Sequence, residues 1–421
     1  MTDGQDLFID VARLRVGMYI HLDLGWMDHP FSLNSFKIRS QDQIDTLRSL
    51  GLATIRYSPD KSDATPAATN GTEAAAKPQE IQETPAQLAA RQRNAMLAQQ
   101  RASLQACERK FAEGAKLYKQ VMKTVHAKPV QSREQSEALI KGFVDELLGD
   151  HEATIRLLSE KSGEESSLHA LNVTILSLLL GKAAGLPAAA MQDLGVAALL
   201  HDIGKIELPD RLRCRDDSFT SAERELFQMH VMHGIEIGRK MGLNAAVLLA
   251  VAQHHEHADG TGFPRRLGGD KLSPASRIVA ITNRYDNLCN PANPAHSITP
   301  HEALSLMFAQ MKPHFDAATM SLFIRMMGVY PPGSVVQLTD ERYALVVSVN
   351  SSRPLKPQVI IHDPRQPREE AIVVDLEDCA ELGIRRSLKP LQLPKPVYDY
   401  LSPRKRMCYF FERGRETKAQ P

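Results

Sequence analysis

Apolar residues recur at helical spacing through the middle of the chain, from about residue 132 to residue 330. A period of three to four residues predicts helices with one buried face. Clusters of Pro, Gly and Asp separate the helical runs, so this region is predicted to be an all-α domain. The predicted helices include Ile140–Leu148, Leu168–Leu180, Met191–Leu200, Ser221–Met241, Ala245–His254, Ser273–Leu288 and His301–Gln310.

The two ends of the chain follow a different pattern. Residues 1–60 alternate short strand-like runs with one helical run, which predicts a small α+β domain. Its predicted elements are the strands Phe8–Val11, Met18–Leu22 and Ala53–Tyr57 and the helix Ser40–Leu50. Residues 331–421 carry β-branched runs with short turns, which predict a small β-rich module with a basic tail, Arg404–Arg415. Its predicted strands are Ser334–Leu338, Tyr343–Asn350, Gln358–Ile361 and Ala371–Asp375.

Two segments connect the first domain to the helical domain. Residues 61–90 are rich in Ala, Pro, Thr, Glu and Ser and poor in large apolar residues, which predicts a flexible linker. A helical run from about 85 to 125 follows, and residues 91–131 are predicted to form a helical connector. The predicted fold is therefore multi-domain, with α+β, all-α and β-rich parts at 1–60, 132–330 and 331–421.

Composition and charge narrow the class of protein. The 421 residues are 43% hydrophobic and 24% charged, which is ordinary for a globular chain with a buried core. The formal net charge of +1 argues against a nucleic-acid polymer as partner. Five scattered cysteines, an odd number, are typical of reduced thiols. No signal-peptide pattern and no membrane-length apolar run stands out, so a cytoplasmic protein without membrane insertion is expected.

The histidines are the residues most informative about chemistry. Seven of the 15 fall between residues 169 and 257. The pairs His201–Asp202 and His254–His255 end apolar helical runs, where imidazole and carboxylate groups can share metal ions. Glu165 and His169 are spaced to lie one turn apart on one helix face, and His230 falls in the middle of a predicted helix.

Each of these pieces is common alone, because a helical histidine is more often a core or surface residue than a ligand. They occur together and next to apolar runs that should be buried, which favours a role as metal ligands over an ordinary core or surface role. Buried polar groups need partners, and a shared metal satisfies several of them at once. The sequence therefore favours a metal site.

Four motifs in order resemble the HD-GYP family of metal-dependent phosphohydrolases. They are HDIGK at 201–205, a helical His230 four residues before Gly234, HHE at 254–256 and DGTGFP at 259–264. The N-terminal LRVGMYIHLDLGWMDHPF resembles a domain of unknown function that often precedes this family. The segment MGVYPPGSVVQL at 327–338 resembles the stretch that commonly follows it.

The resemblance implies a helical HD domain that hydrolyses cyclic di-GMP to linear pGpG and then GMP. It implies two or three divalent ions, iron or manganese, with Asp202 bridging two of them. Lys205 would meet a phosphate oxygen or assist the leaving group, so Asp202 and Lys205 are the catalytic candidates. By matching position, the metal ligands would be Glu165, His169, His201, Asp202, His230, His254, His255 and, where the family has an aspartate, Asn283.

The same resemblance implies substrate contacts beyond the metals, with the loop from 260 to 264 forming a wall beside the guanine and phosphate groups. The simplest mechanism is attack by a metal-activated hydroxide, because two close metals activate water and neutralise phosphoryl charge. No Ser/His/Asp or Cys/His pattern and no P-loop stands out in the sequence. The candidate substrate contacts are Lys205, Asp259, Gly260, Gly262, Phe263, Pro264, Arg265 and Arg277.

Three departures from the family pattern matter. Asn283 offers a neutral amide where the family has a carboxylate ligand, and Asp286 nearby is more typical of a structural residue than of a replacement ligand. Phe263 replaces the tyrosine of GYP, which is a mild change. Segment 289–297 contains no Lys or Arg, although the family often contacts substrate phosphates there.

These departures leave three hypotheses. The nearly complete ligand set favours a cyclic di-GMP phosphodiesterase. Asn283 and the missing basic residues favour a catalytically weakened protein that acts as a cyclic di-GMP receptor or protein-interaction platform. The altered segment 289–297 would also permit a phosphohydrolase acting on another nucleotide. A homodimer and signalling partners such as diguanylate cyclase domains are further expectations.

Overall fold

A computed structural model of the chain divides into two units, Met1–Gln82 and Glu83–Pro421. The described residues are 7–22, 31, 33–50, 52, 54–63, 84–149, 152–159, 165–213, 219–350, 353–379 and 381–413. Most of the predicted linker at 61–90 lies outside the described residues. The finer domain boundaries stay predictions.

The first unit is a small α+β fold, as the sequence predicts. It contains β1 (Leu7–Asp10), β2 (Tyr19–His21), β3 (Ser35–Lys37), α1 (Gln41–Ser49) and β4 (Thr54–Tyr57). The antiparallel sheet has the order β1-β4-β2-β3, and its core includes Ile20 with Ile44 and Leu47 of α1. The pattern missed β3 because its run SFK carries a single apolar residue.

The second unit is mainly helical. Its helices are α2 (Pro85–Thr124), α3 (Pro129–Leu147), α4 (Glu165–Ala183), α5 (Ala188–Leu200), α6 (Ser221–Gln228), α7 (His230–Met241), α8 (Ala245–Gln253), α9 (Pro274–Cys289), α10 (Pro300–Gln310), α11 (Ala317–Met327) and α12 (Lys395–Leu401). Helices α4 and α5 lie at its centre because they are apolar on almost every face. α4 packs against α5 and α9, and α5 packs against α3 and α8.

An antiparallel sheet completes the second unit. Its strands are β5 (Ala153–Leu157), β6 (Val335–Leu338), β7 (Tyr343–Asn350), β8 (Gln358–Ile361), β9 (Val373–Asp375), β10 (Ile384–Leu388) and β11 (Tyr409–Arg413). They follow the path β10-β6-β7-β5-β11, with β8 paired to β7 and β9 paired to β8. β5 corrects the sequence interpretation, because a strand inside the predicted all-α region joins the sheet of the C-terminal module. Its partners are distant in sequence, so a local pattern could not reveal the pairing.

The predicted helix Ser221–Met241 is two helices. α6 ends at Gln228 and α7 begins at His230. The ring of His230 donates to the Phe227 carbonyl at 2.5 Å, an acceptor that an unbroken helix would offer to the amide of Val231. His230 therefore lies at the start of a helix rather than in the middle of one.

Gly204 lets two backbone segments touch beside this junction. It lies in the 3-10 turn Ile203–Glu207 that follows α5. A Cβ at Gly204 would lie 2.0 Å from the His230 carbonyl oxygen and 2.4 Å from the Gly234 amide nitrogen. Backbone atoms cannot yield at such distances, so only glycine allows the turn after α5 to reach α7.

Replacing Gly204 by alanine is expected to destabilise the second unit by about 1–3 kcal/mol, the usual cost of overpacking. Gly142→Ala in α3 is the matched control, because its added Cβ would meet nothing within 4 Å. That control should be stabilising by about 1 kcal/mol, since helical glycine is unfavourable relative to alanine. Denaturant unfolding followed by circular dichroism measures both variants. Equal midpoints for Gly204→Ala and the wild type would contradict the close backbone contact.

Candidate metal centre

Three histidine rings in the second unit are held in the same way. In each, Nδ1 bonds the backbone carbonyl three residues earlier, at 2.7 Å for His201, 2.5 Å for His230 and 2.7 Å for His254. A carbonyl oxygen only accepts hydrogen bonds, so Nδ1 carries the proton and Nε2 keeps its lone pair. All three rings thus present Nε2 as a potential ligand atom.

A fourth ring, that of His169 on α4, is held by a carboxylate. Its Nδ1 lies 2.7 Å from Oδ2 of the fully buried Asp286 on α9. This contact leaves the His169 Nε2 facing the Nε2 of His201 at 3.3 Å. A carboxylate behind a histidine ligand is a common feature of metal sites. The side chain of Glu165, one turn earlier on α4, lies outside the described residues.

The four Nε2 atoms converge on the carboxylate of Asp202. Oδ2 of Asp202 lies 3.3 Å from the His201 Nε2 and 3.6 Å from the His169 Nε2. Oδ1 lies 3.5 Å from the His230 Nε2 and 3.8 Å from the His254 Nε2. The two oxygens of Asp202 therefore face two positions that a cation could occupy. Ligand atoms lie within 4.8 Å of one another in two groups that share Asp202: His169, His201 and Asp202, and Asp202, His230, His254 and His255.

The lone pairs buried at this centre fit bound cations. The Nε2 atoms of His230 and His254 are 3.4 Å apart, and with both protons on Nδ1 neither nitrogen can donate to the other. Within the described residues, Oδ1 of Asp202 and Nε2 of His255 are buried without a hydrogen-bond partner. Buried polar atoms without partners are costly, and a metal ion would satisfy several of these lone pairs together. Imidazole and carboxylate are also ligands that first-row metals bind.

The electrostatics of the centre favour the protonation states that a metal requires. Burial lowers the pKa of His201 and His255, and it lowers the pKa of His230 to about 3. Burial opposes ionisation of Asp202, but the charge of the Lys205 ammonium group holds its pKa well below the usual value. At neutral pH these shifts favour neutral imidazoles at His201, His230 and His255 beside an ionised Asp202.

A cavity of about 210 Å³ lies beside the ligand cluster. Lys205 borders it, with Nζ 2.6 Å from Oδ2 of Asp202. The buried Asn283 lines the same cavity as the predicted ligands His254 and His255, and its side-chain oxygen accepts from Asn287 at 2.6 Å. The remaining lining residues are Phe227, His257, Ala280, Arg284, Asn287, Met311, His314 and Phe315.

The loop after the histidine pair is tied to it by Glu256. The buried Glu256 carboxylate accepts from the backbone amides of Arg265 at 2.7 Å and Leu267 at 2.9 Å. A Cβ at Gly262 would lie 2.3 Å from the His257 amide nitrogen. Glycine at this position therefore lets the loop fold back onto the segment that carries the ligands.

Phe263 of this loop stacks on the ring of His255, with 4.5 Å between ring centroids. The aromatic position of the GFP motif thus supports a candidate ligand. Gly260, Gly262, Phe263 and Pro264 are not among the described residues that line the cavity. Their contact with a substrate stays a prediction.

Three charged residues that the sequence assigned to substrate also lie away from the lining of this cavity. Asp259 accepts from the Thr261 hydroxyl at 2.6 Å, and the Arg265 side chain is exposed. Arg277 donates to Asp316 at 3.3 Å. Substrate contacts by these three residues stay predictions.

Arg284 and His314 line the cavity, although no motif in the sequence marks them as site residues. Arg284 follows Asn283 on α9, and His314 stacks on His257 with 4.3 Å between centroids. Cavity-lining residues of α9 fall at positions 280, 283, 284 and 287, which is the spacing of one helix face. That spacing is the signal from which Arg284 could have been found.

Comparison with known proteins gives matches along most of the chain. Residues 145–319 match the family model of the HD domain, and residues 7–136 match that of a domain of unknown function, DUF3391. A cyclic di-GMP phosphodiesterase of Pseudomonas aeruginosa is 27% identical over 360 residues, which are 83% of this chain and 84% of the relative. A cyclic di-GMP phosphodiesterase of Borreliella burgdorferi is 25% identical over 192 residues, or 46% of this chain. The match covers 51% of that relative, about half its length.

A solved structure gives a weaker likeness. An HDG"Y"P protein of Bdellovibrio bacteriovorus aligns with 76% of this chain and 98% of its own, with a TM-score of 0.40 and 15% identity. Among the described residues, no helix combines the length and the apolar character needed to cross a membrane.

Replacing His230 by alanine is expected to weaken Mn²⁺ binding by more than about tenfold, because the variant lacks an Nε2 that faces Asp202. His233→Ala is the matched control, since His233 lies on the same helix but outside both ligand groups. Isothermal titration and the metal content after gel filtration measure the difference. Equal metal affinities for His230→Ala and His233→Ala would contradict the assignment of His230 as a ligand.

Proposed function

We propose that this chain, an HD-domain protein of the HD-GYP family with an N-terminal DUF3391 domain, hydrolyses cyclic di-GMP to pGpG and then GMP. The observation that carries the proposal is the buried cluster of imidazole nitrogens around Asp202, beside a cavity bordered by Lys205. The named activities of the Pseudomonas and Borreliella relatives support the choice of substrate.

The proposed cofactors are two or three divalent ions, iron or manganese, because mixed imidazole and carboxylate ligands suit these metals. The donor set is consistent with at least two ion positions that share Asp202. When bound, such ions lower the pKa of bound water and neutralise charge on the phosphoryl group. Asp202 is proposed to hold both positions together, and the histidines to hold each position from one side.

Lys205 and Arg284 are proposed to bind the phosphate groups of the substrate. Both border the cavity, and a phosphodiester is an anion that needs positive donors. Lys205 is fixed by Asp202 at the edge of the ligand cluster, where its ammonium group would stabilise charge that develops on the leaving oxygen. Arg284 would contact the second phosphate and so replace the basic residues that segment 289–297 lacks.

The apolar part of the cavity is proposed to receive a guanine base. Phe227, Met311 and Phe315 line it, and flat aromatic and thioether side chains suit a nucleobase. Asn287 borders the same cavity, and because its amide nitrogen donates to Asn283, it offers its side-chain oxygen as an acceptor for the base edge. The cavity therefore combines cationic and apolar groups, as a nucleotide requires.

A catalytically weakened receptor is the second candidate, and Asn283 is the observation that favours it. A neutral amide oxygen neutralises less metal charge than a carboxylate, and the Asn283 oxygen already accepts from Asn287. Such a protein would bind cyclic di-GMP and pass the signal to a partner. The cytoplasmic location, the homodimer and the diguanylate cyclase partners stay predictions.

An anaerobic hydrolysis assay tests the main proposal. The protein loaded with Fe²⁺ or Mn²⁺ is expected to convert cyclic di-GMP to pGpG and GMP, with products separated by chromatography. Asp202→Asn is the control, because it removes the charge shared by both ligand groups, and its turnover should fall by at least about a hundredfold. Loaded wild-type protein that binds the dinucleotide without turnover would overturn the enzyme and favour the receptor.

Asn283→Asp is expected to tighten metal binding and raise turnover, each by about tenfold, a typical effect of one residue at a metal site. The new carboxylate would add charge at the cavity wall while still accepting from Asn287. Asn287→Asp is the matched control for metal affinity alone, since it adds the same charge one turn further along α9, where the residue is proposed to contact the base. Competition with a fluorescent metal indicator measures the affinity. An unchanged affinity and rate in Asn283→Asp would mean that position 283 is no ligand position.

A further inference from the structure

We propose that Asn172 and Asn290 are positioning residues, through which the C-terminal segment Met407–Tyr409 holds the metal-ligand candidate His169. This segment lies beyond residues 145–319, the part of the chain that matches the HD domain. The proposal gives the C-terminal module a role in the metal centre. It rests on the proposed metal site and not on the identity of the substrate.

Asp286 is the link between His169 and the two asparagines. Its Oδ2 accepts from the His169 Nδ1 at 2.7 Å. Its Oδ1 accepts from the side-chain amides of Asn172 and Asn290, each at 2.8 Å. Three donors therefore fix the plane of a fully buried carboxylate, and that plane sets the orientation of the His169 ring.

Both asparagines are themselves fixed by the backbone of the C-terminal segment. Asn172 donates to the Met407 carbonyl at 2.7 Å and accepts from the Tyr409 amide at 3.0 Å. Asn290 donates to the same carbonyl at 2.9 Å and accepts from the Met407 amide at 2.7 Å. Each side-chain amide uses its oxygen and its nitrogen, so neither is free to rotate away from Asp286.

The packing around this network makes its geometry stiff. Asn172 and Asp286 are fully buried, and Met407 and Tyr409 are buried. The segment continues into β11, which pairs with β5 and packs on α4, the helix that carries His169 and Asn172. Loss of one amide would leave a buried carboxylate oxygen or carbonyl with fewer donors, which is costly inside a protein.

A purely structural role for this network makes a different prediction. If the asparagines served only to dock the C-terminal segment, their loss would reduce stability without a specific effect on His169. Ser177 provides the comparison, because its hydroxyl bonds Thr282 at 2.9 Å and so links the same two helices, α4 and α9. Ser177 is also fully buried, but the Ser177–Thr282 bond does not involve Asp286.

The test compares Asn172→Leu and Asn290→Ala with Ser177→Ala in the full-length chain. Titration with Co²⁺, followed by its visible absorption, gives the metal affinity and the coordination spectrum. Both asparagine variants are expected to bind Co²⁺ about 10–100-fold more weakly and with an altered spectrum. Ser177→Ala should keep the wild-type Co²⁺ affinity, even if its thermal unfolding temperature falls by as much as those of the asparagine variants. Asn290→Ala, at a half-buried position, covers the case in which Asn172→Leu does not fold.

A second measurement reads the ring of His169 without any metal. In metal-free protein labelled with ¹⁵N-histidine, and with the signal assigned by His169→Gln, the wild-type ring is expected to be protonated on Nδ1. The asparagine variants should shift population towards Nε2 protonation, and Ser177→Ala should not. An unchanged His169 signal, or an equal loss of Co²⁺ affinity in Ser177→Ala, would overturn the positioning role. A wild type that binds no metal would refute the proposed metal site, and the His169 signal would then decide this inference by itself.

Discussion

The rest of the structure depends on one constraint, the burial of a carboxylate among imidazole lone pairs. Asp202 is nearly inaccessible, and the Nε2 atoms of four histidines lie within 3.3–3.8 Å of its oxygens. Neutral rings with their protons on Nδ1 cannot donate to this carboxylate through Nε2. A group of acceptors that face one another is unfavourable unless cations lie between them. Helices α4, α5, α7 and α8 therefore serve to hold an arrangement that metal ions would stabilise.

The ends of the helices follow from the same constraint. The rings of His201, His230 and His254 each donate to the backbone carbonyl three residues earlier. In an unbroken helix that carbonyl would accept from the amide of the residue after the histidine. The rings thus lie where α5 ends, α7 begins and α8 ends. This placement gives each Nδ1 a backbone carbonyl as acceptor and so fixes the orientation of the ring. The contact between Gly204 and α7 then brings two of these helix ends together.

Local sequence patterns predicted most helices and strands, because periodicity reports which face of an element is buried. The bounds of β7 were predicted as found, and α2 was predicted to within a residue. The break before His230 was missed, since it depends on a ring bonding a carbonyl and not on hydrophobic spacing. The motifs placed His201, Asp202 and His254 in one site. They did not reveal the partners of Asp286, which are distant in sequence and meet only in the folded chain.

Asn283 and Asp286 lie one turn apart on α9, yet their side chains face different groups of residues. Asn283 lines the cavity with His254 and His255, while Asp286 accepts from His169 and Asn172 of α4 and from Asn290 at the end of α9. Asp286 therefore cannot supply the carboxylate that position 283 lacks without giving up its hold on His169. A shift of its side chain towards the cavity would also leave buried amides without acceptors. Asp286 is thus no substitute for a carboxylate at position 283, and the charge balance of the centre depends on Asp202 and on Lys205, whose ammonium group lies 2.6 Å from the Asp202 carboxylate.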